Sequence, residues 1–197
     1  MKARFYILLL LLASFITISF NTIYDSYVLD PGHTYIGFDV ERFMVGEVSG
    51  RFNEFSGNVN IQDKDISTLK VNVKIKTNSL DTNHKTRDGH LKGQIWLYTE
   101  KYPEISFISN TVKKNKNNEY MMEGDLTIRG ITNTIQFPIE VLGPFTDPTK
   151  KETIGIKADI VIDRFNYGIQ LNKKMDNGSL FIGKDVKIKI RALAQRE

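Results

Sequence analysis

The chain of 197 residues contains no cysteine. That excludes disulfide staples, a lipid-attachment cysteine and a thiolate nucleophile, so stability has to come from a packed interior. Charge of one sign is not concentrated either: 27 Lys and Arg against 23 Asp and Glu give a net charge of +4. The basic residues are scattered over alternating positions and form no arm or stripe of the kind that tracks nucleic acid. No GxSxG elbow and no glycine-rich phosphate loop are present. The two glycines of "GDLTIRG" stand at strand ends, where they serve turns. Strand patterns do not alternate with helical ones, which argues against a parallel α/β sheet. What is there, 41% hydrophobic and 25% charged residues, is the make-up of one globular domain.

The N-terminus differs from the rest. Lys2 and Arg4 precede sixteen residues without a charge, Phe5 to Phe20. As a helix this run reaches only about 24 Å, short of the roughly 30 Å hydrocarbon core of a bilayer. The pattern predicts a secretory signal over residues 1–23, with cleavage between Ser19 and Ser26, or else an uncleaved anchor. Residues 24–197 are then a single exported domain, periplasmic or secreted.

Beyond residue 26 the dominant period is two. In "LKVNVKIKT" Leu69, Val71, Val73 and Ile75 share one face, and Lys70, Asn72, Lys74 and Lys76 the other. The same alternation places Ile154, Ile156, Ala158, Ile160 and Ile162 together, then Val186, Ile188, Ile190 and Ala192, then Ile135, Phe137, Ile139 and Val141. Further strands are expected at 35–43, 48–61, 104–113 and 119–129, joined by turns such as "KKNKNNE" and "RGITN". Pro138 marks an edge, an end or a bulge, and an edge there offers a surface for a homodimer. About eight long antiparallel strands with one apolar face predict a closed all-β barrel, packed solid or holding one small ligand.

One interruption, residues 78–103, carries "HKTRDGHLKGQIWL". His84, Asp88 and His90 are of metal-ligating type, but their spacing fits no strong signature, and His33 is fifty residues away. Neither a metal nor another cofactor is expected, and no catalytic set assembles. The stretch reads better as a short helical lid around 85–98. Asp88 is a candidate N-cap, and Leu91, Ile95, Trp96 and Leu97 form an apolar patch over a barrel mouth. A lid over a ligand and a plug completing the core bury the same residues, so the pattern leaves both open.

Six stretches in order then resemble the YceI-like, polyisoprenoid-binding family. They are "YVLDPGHTYIGFDV" (27–40), "RDGHLKG" (87–93), "EKYPEISF" (100–107), "GDLTIRGIT" (124–132), "DRFNYGI" (163–169) and "IGKDVKIKI" (182–190). His33, Arg87, Asp88, His90, Leu91, Tyr102, Pro103, Gly124, Asp125, Gly130, Arg164, Gly168 and Gly183 match family positions. The resemblance implies a lipocalin-like antiparallel barrel, exported, that holds a long isoprenoid such as a quinone or polyprenyl chain and performs no catalysis. Arg164 and Asp125 are expected to be structural, because buried charge persists only when paired.

Two departures fall near the expected mouth. "FDVERF" offers Arg42 where the family often has a second histidine, and "QIWLY" replaces acidic residues around an aromatic pair. A guanidinium there suits an acidic or phosphorylated head group. The expected apolar lining is Phe38, Val40, Phe52, Val71, Val73, Ile75, Trp96, Leu97, Phe107, Leu126, Ile128, Phe137, Ile156 and Ile160. The expected polar mouth is His33, Arg42, Arg87, Asp88 and His90. The expected partner is a long-chain lipid, with membrane contact for its exchange and no nucleic acid; rival readings are a packed structural barrel and a metal-dependent lipid enzyme.

Overall fold

Alternation along each strand gives a sheet with one apolar face, and the sheet curls until that face is enclosed. A computed structural model describes residues 24–197, and the expected signal segment lies outside the described residues. The first strands are β1 (Tyr24–Leu29), β2 (Tyr35–Arg42), β3 (Gly46–Phe52), β4 (Phe55–Gln62) and β5 (Asp65–Lys76). A 3-10 turn at Thr77–Ser79 leads to the two-residue β6 (Leu80–Asp81) and the one α-helix among the described residues, α1 (Lys85–Lys92). Then come β7 (Glu104–Lys114), β8 (Tyr120–Ile128), β9 (Ile131–Thr146) and β10 (Glu152–Asp163), a second 3-10 turn at Arg164–Tyr167, and β11 (Ile182–Arg196).

All strand pairs are antiparallel, and eight of them close a ring in the order β1-β4-β5-β7-β8-β9-β10-β11 and back to β1. The expected eight-stranded barrel is therefore what forms. Its N-terminal wall is bent. β11 pairs its first half with β2 (Lys187↔Asp39) and its last residues with β1 (Leu29↔Ala194), so β1 and β2 are two arms of one wall strand. β4 and β3 pair with β1 and β2 in the same way, and the expected single strand 48–61 breaks at Asn53–Glu54. The β8–β9 hairpin turns through Arg129 and Gly130, both at positive φ (53° and 72°), the two-residue turn whose twist suits paired strands.

The two ends of the barrel differ. At the end carrying β1, Tyr27, Val59, Ile61, Leu69, Ile154 and Ala194 are at most 1% exposed and pack solid. At the other end β5 has finished by Lys76, and the outer edge of β3 is paired only through Arg51↔Asp81 and Phe52↔Leu80. Residues 82–103, including α1, cover that end. A second irregular stretch, residues 164–181, lies between β10 and β11, where no interruption was expected. Pro138 pairs with Met121 inside the closed wall, and the β9–β10 ladder stops at Ile139 beside it. The missing N–H of proline thus marks the end of a ladder.

Candidate ligand cavity

The inward faces enclose a cavity of about 210 Å³. It runs from Leu91, Trp96 and Leu97 under the lid to Leu29, Val59 and Ile139 above the solid floor. All fourteen residues expected to form an apolar lining stand in its wall. The volume lies below the roughly 300–1,000 Å³ of pockets that enclose drug-sized ligands. A long-chain guest must therefore spread apolar side chains or lift the lid segment as it enters.

The five residues expected at a polar mouth are not brought together. His33 sits in the turn that joins β1 to β2 beside Leu193 of β11, and its exposed ring bonds Asp30 at 2.8 Å. That contact holds the Asp30 carboxyl below the usual carboxylate value. Arg42 is exposed at the end of β2, with its guanidinium 4.6 Å from the Phe43 ring centroid. His90 is exposed on α1. Arg87 and Asp88 do converge, but on Thr82. Arg87 donates to Thr82 Oγ1 and to its carbonyl, both at 2.7 Å, and the Asp88 carboxylate accepts from Thr82 N (2.9 Å) and Oγ1 (2.5 Å). They are fasteners between β6 and α1, and none of the five lines the cavity. The N-cap of α1 is His84, whose Nδ1 accepts from Arg87 N at 3.3 Å, instead of the expected Asp88.

The residues with polar side-chain atoms that do line the cavity are Thr34, Arg164, Tyr167 and, through its indole N–H, Trp96. Thr34 Oγ1 is occupied by the backbone of Leu193, accepting at 3.1 Å and donating at 3.2 Å. Arg164 is 2% exposed and donates to four carbonyls: Ile169 (2.6 Å), Leu171 (2.7 Å), Gly183 (2.9 Å) and Ile182 (3.0 Å). The expected carboxylate partner is replaced by backbone dipoles, which satisfy a buried guanidinium as well as a side chain does. Burial lowers the pKa of Arg164 from its ordinary value, and nearby Asp163 opposes the shift. Its role is structural as expected; Asp125 instead accepts from Thr134 at 2.7 Å on the outer face. Tyr167 is 1% exposed, and its hydroxyl is buried with no hydrogen-bond partner. Burial pushes that hydroxyl's pKa up, with the Asn133 amide opposing.

The lid is held from two sides. Arg129, in the β8–β9 turn, donates to the carbonyls of Gln94 (2.8 Å) and Trp96, and Arg164 lies 5.7 Å from the Trp96 ring centroid. Leu91, Trp96 and Leu97 face inward, whereas Ile95 is 64% exposed and leaves the expected apolar patch. Arg129, Thr82 and Tyr167 are the site residues that the sequence reading missed. A tyrosine a few residues after an alternating strand, just before Gly168, was the available signal for the last of them.

Comparison with known proteins fits this architecture. In solved structures, the barrel matches Burkholderia cenocepacia BcnA with a TM-score of 0.72 at 20% identity, over 84% of this chain and 98% of that one. It matches a polyisoprenoid-binding domain from Saccharophagus degradans with a TM-score of 0.66 at 15% identity, over 87% and 98%. The Campylobacter jejuni YCEI protein gives 0.68 at 25% identity, over 80% and 90%. In sequence, the UPF0312 protein of Staphylococcus aureus strain N315 is 34% identical over 168 residues, 85% of this chain and 95% of that protein. The YceI-like domain model matches residues 27–194, from the middle of β1 to the end of the β11 seam. The segment so matched is the closed barrel itself, and the chain belongs to the YceI-like family.

Proposed function

We propose that the protein is an exported carrier that holds an isoprenoid, or a similar long-chain amphiphile, inside the barrel. The observation that carries this reading is the cavity wall, built from Ile, Val, Leu and Phe on every side. Each methylene moved from water into such a wall contributes about 0.8 kcal/mol. Ten of them amount to roughly 8 kcal/mol, in the micromolar range before the costs of immobilising the chain are subtracted. Lipid-binding by the Saccharophagus degradans domain lends support. The charged start followed by the apolar run Phe5–Phe20 supports export. Of the polar lining residues, Thr34 and Arg164 are committed to backbone groups, and only the Tyr167 hydroxyl and the Trp96 indole remain, which supports holding a guest and not transforming it.

The test is native mass spectrometry of the protein recovered from the exported compartment, followed by identification of extracted lipids. A stoichiometric long-chain lipid is expected. Protein free of lipid that also takes up no prenyl compound in vitro would overturn the carrier reading in favour of a structural barrel. Ala158→Phe gives an independent check, because Ala158 lines the cavity from β10 and a ring there occupies the guest's space. Lipid binding should fall at least tenfold without loss of the fold.

A further inference from the structure

Among the polar side chains of the cavity wall, Tyr167 stands out as the one whose polar atom is fully buried and unbonded. Thr34 and Arg164 have given their polar atoms to main-chain groups, Arg164 using four of the five N–H donors a guanidinium has. The Tyr167 hydroxyl is fully buried without a formed hydrogen bond; the Asn133 amide lies beside it but donates to the Asn166 carbonyl at 3.1 Å. Leaving a buried hydroxyl unsatisfied costs about 1–3 kcal/mol, whereas phenylalanine fills the same space without that cost. A tyrosine there is accounted for if the partner arrives with the guest.

Tyr167 closes the 3-10 turn at the lid end, where Asn133 of β9 donates to the neighbouring Asn166 carbonyl at 3.1 Å and Arg164 stacks on the lid residue Trp96. Resting on the carrier reading, we propose that the Tyr167 hydroxyl anchors the guest's head group, and that this head is a neutral hydrogen-bond acceptor such as a ketone, ester or amide carbonyl. The head then lies beneath the lid and the hydrocarbon runs toward Leu29, Val59 and Ile139. A phosphorylated head fits poorly. It would surrender its water for one hydroxyl and one remaining guanidinium N–H, and uncompensated burial of such a charge costs several kcal/mol. Arg42, the residue expected to receive a phosphate, stacks on Phe43 outside the cavity.

Three probes with the same prenyl tail decide the matter: farnesylacetone, the corresponding farnesyl hydrocarbon, and farnesyl phosphate. Each is titrated by displacement of a fluorescent hydrophobic dye from the unmodified protein and from Tyr167→Phe. The expected result is that the ketone binds best to the unmodified protein. Tyr167→Phe should weaken the ketone about three- to tenfold, the yield of one neutral hydrogen bond, and leave the hydrocarbon unchanged. The ligand-free variant should be at least as resistant to urea as the unmodified protein, since an unsatisfied group has been removed. Equal effects on ketone and hydrocarbon, or no effect on the ketone, overturn the anchor while leaving the carrier reading intact. So does tighter binding of the phosphate. Failure of all three to bind overturns the carrier reading itself. The infrared carbonyl stretch of farnesylacetone on the unmodified protein needs no variant: a shift to lower wavenumber is expected on binding, and an unshifted band refutes the anchor.

Discussion

Replacing Arg164 with methionine keeps most of the side chain's volume and removes every donor. Four carbonyls, those of Ile169, Leu171, Gly183 and Ile182, then lose their partner inside a region where Arg164 is 2% exposed. At about 1–3 kcal/mol for each orphaned buried acceptor the gross cost is roughly 4–12 kcal/mol. Part of it is returned, because the variant no longer has to strip water from a guanidinium, an expense of several kcal/mol. The net expectation is a loss of about 3–5 kcal/mol, or roughly 6–20 °C in melting temperature for a domain of this size. Arg164→Lys separates charge from geometry. An ammonium keeps the charge but has three donors for four carbonyls, so it should fall between the two. The assay is urea unfolding followed by the emission of Trp96, the only tryptophan, whose ring lies against Arg164. A methionine variant within about 1 kcal/mol of the unmodified protein refutes the claim that these backbone dipoles hold the 164–183 segment in place.

Arg129→Ala removes the two bonds that fasten Gln94 and Trp96, so dye release from the cavity should accelerate about tenfold while equilibrium stability changes little; an unchanged release rate would show that the lid is held elsewhere. In Gly124→Ala, the new methyl group meets the Phe107 ring at 2.4 Å and the Ile108 carbonyl at 2.6 Å, and a loss of about 1–3 kcal/mol by urea unfolding is expected. No measurable loss would mean that β7 can yield there. Alkaline pH should destabilise the barrel. Burial raises the hydroxyl pKa of both Tyr27, which also donates to Glu152, and Tyr167 above the ordinary 10.0. The folded protein therefore keeps two protons that the unfolded chain releases above pH 10, and the stability these two hydroxyls contribute, constant below that pH, should fall by up to about 2.7 kcal/mol per unit above it. Equal urea midpoints at about pH 9 and about pH 11 would contradict this, and the double variant Tyr27→Phe/Tyr167→Phe should flatten the decline.

The apolar wall was legible because strand periodicity is local: once a strand is recognised, every second residue is committed to the interior. Val71, Val73 and Ile75 needed nothing more than their spacing. The polar residues depend on which strand ends meet, and no local pattern encodes that. His33 is bonded to Asp30 in the β1–β2 turn and His90 stands exposed on α1, yet resemblance alone grouped them. Ile95 sits beside two inward residues on a turn too short to keep helical periodicity, so its outward direction was invisible. Arg164 was recognised as structural for a reason that does not hold here, since carbonyl oxygens replace the anticipated carboxylate. Asn53–Glu54 carries no glycine or proline to announce the kink that splits β3 from β4.

The pairing of β1 with β11 sets the order in which the molecule can be completed. Tyr27, Val28 and Leu29 are hydrogen-bonded neighbours of Arg196, Gln195 and Ala194, so the join that shuts the cylinder links the first described strand to the last. Until that join forms, the greasy inner surface stays open along one side. Contacts between such distant positions also form slowly, because the loop they close is nearly the entire domain. A chain in which β11 has not met β1 is thus an open, unlatched sheet, and the barrel is completed by the least local of its pairings.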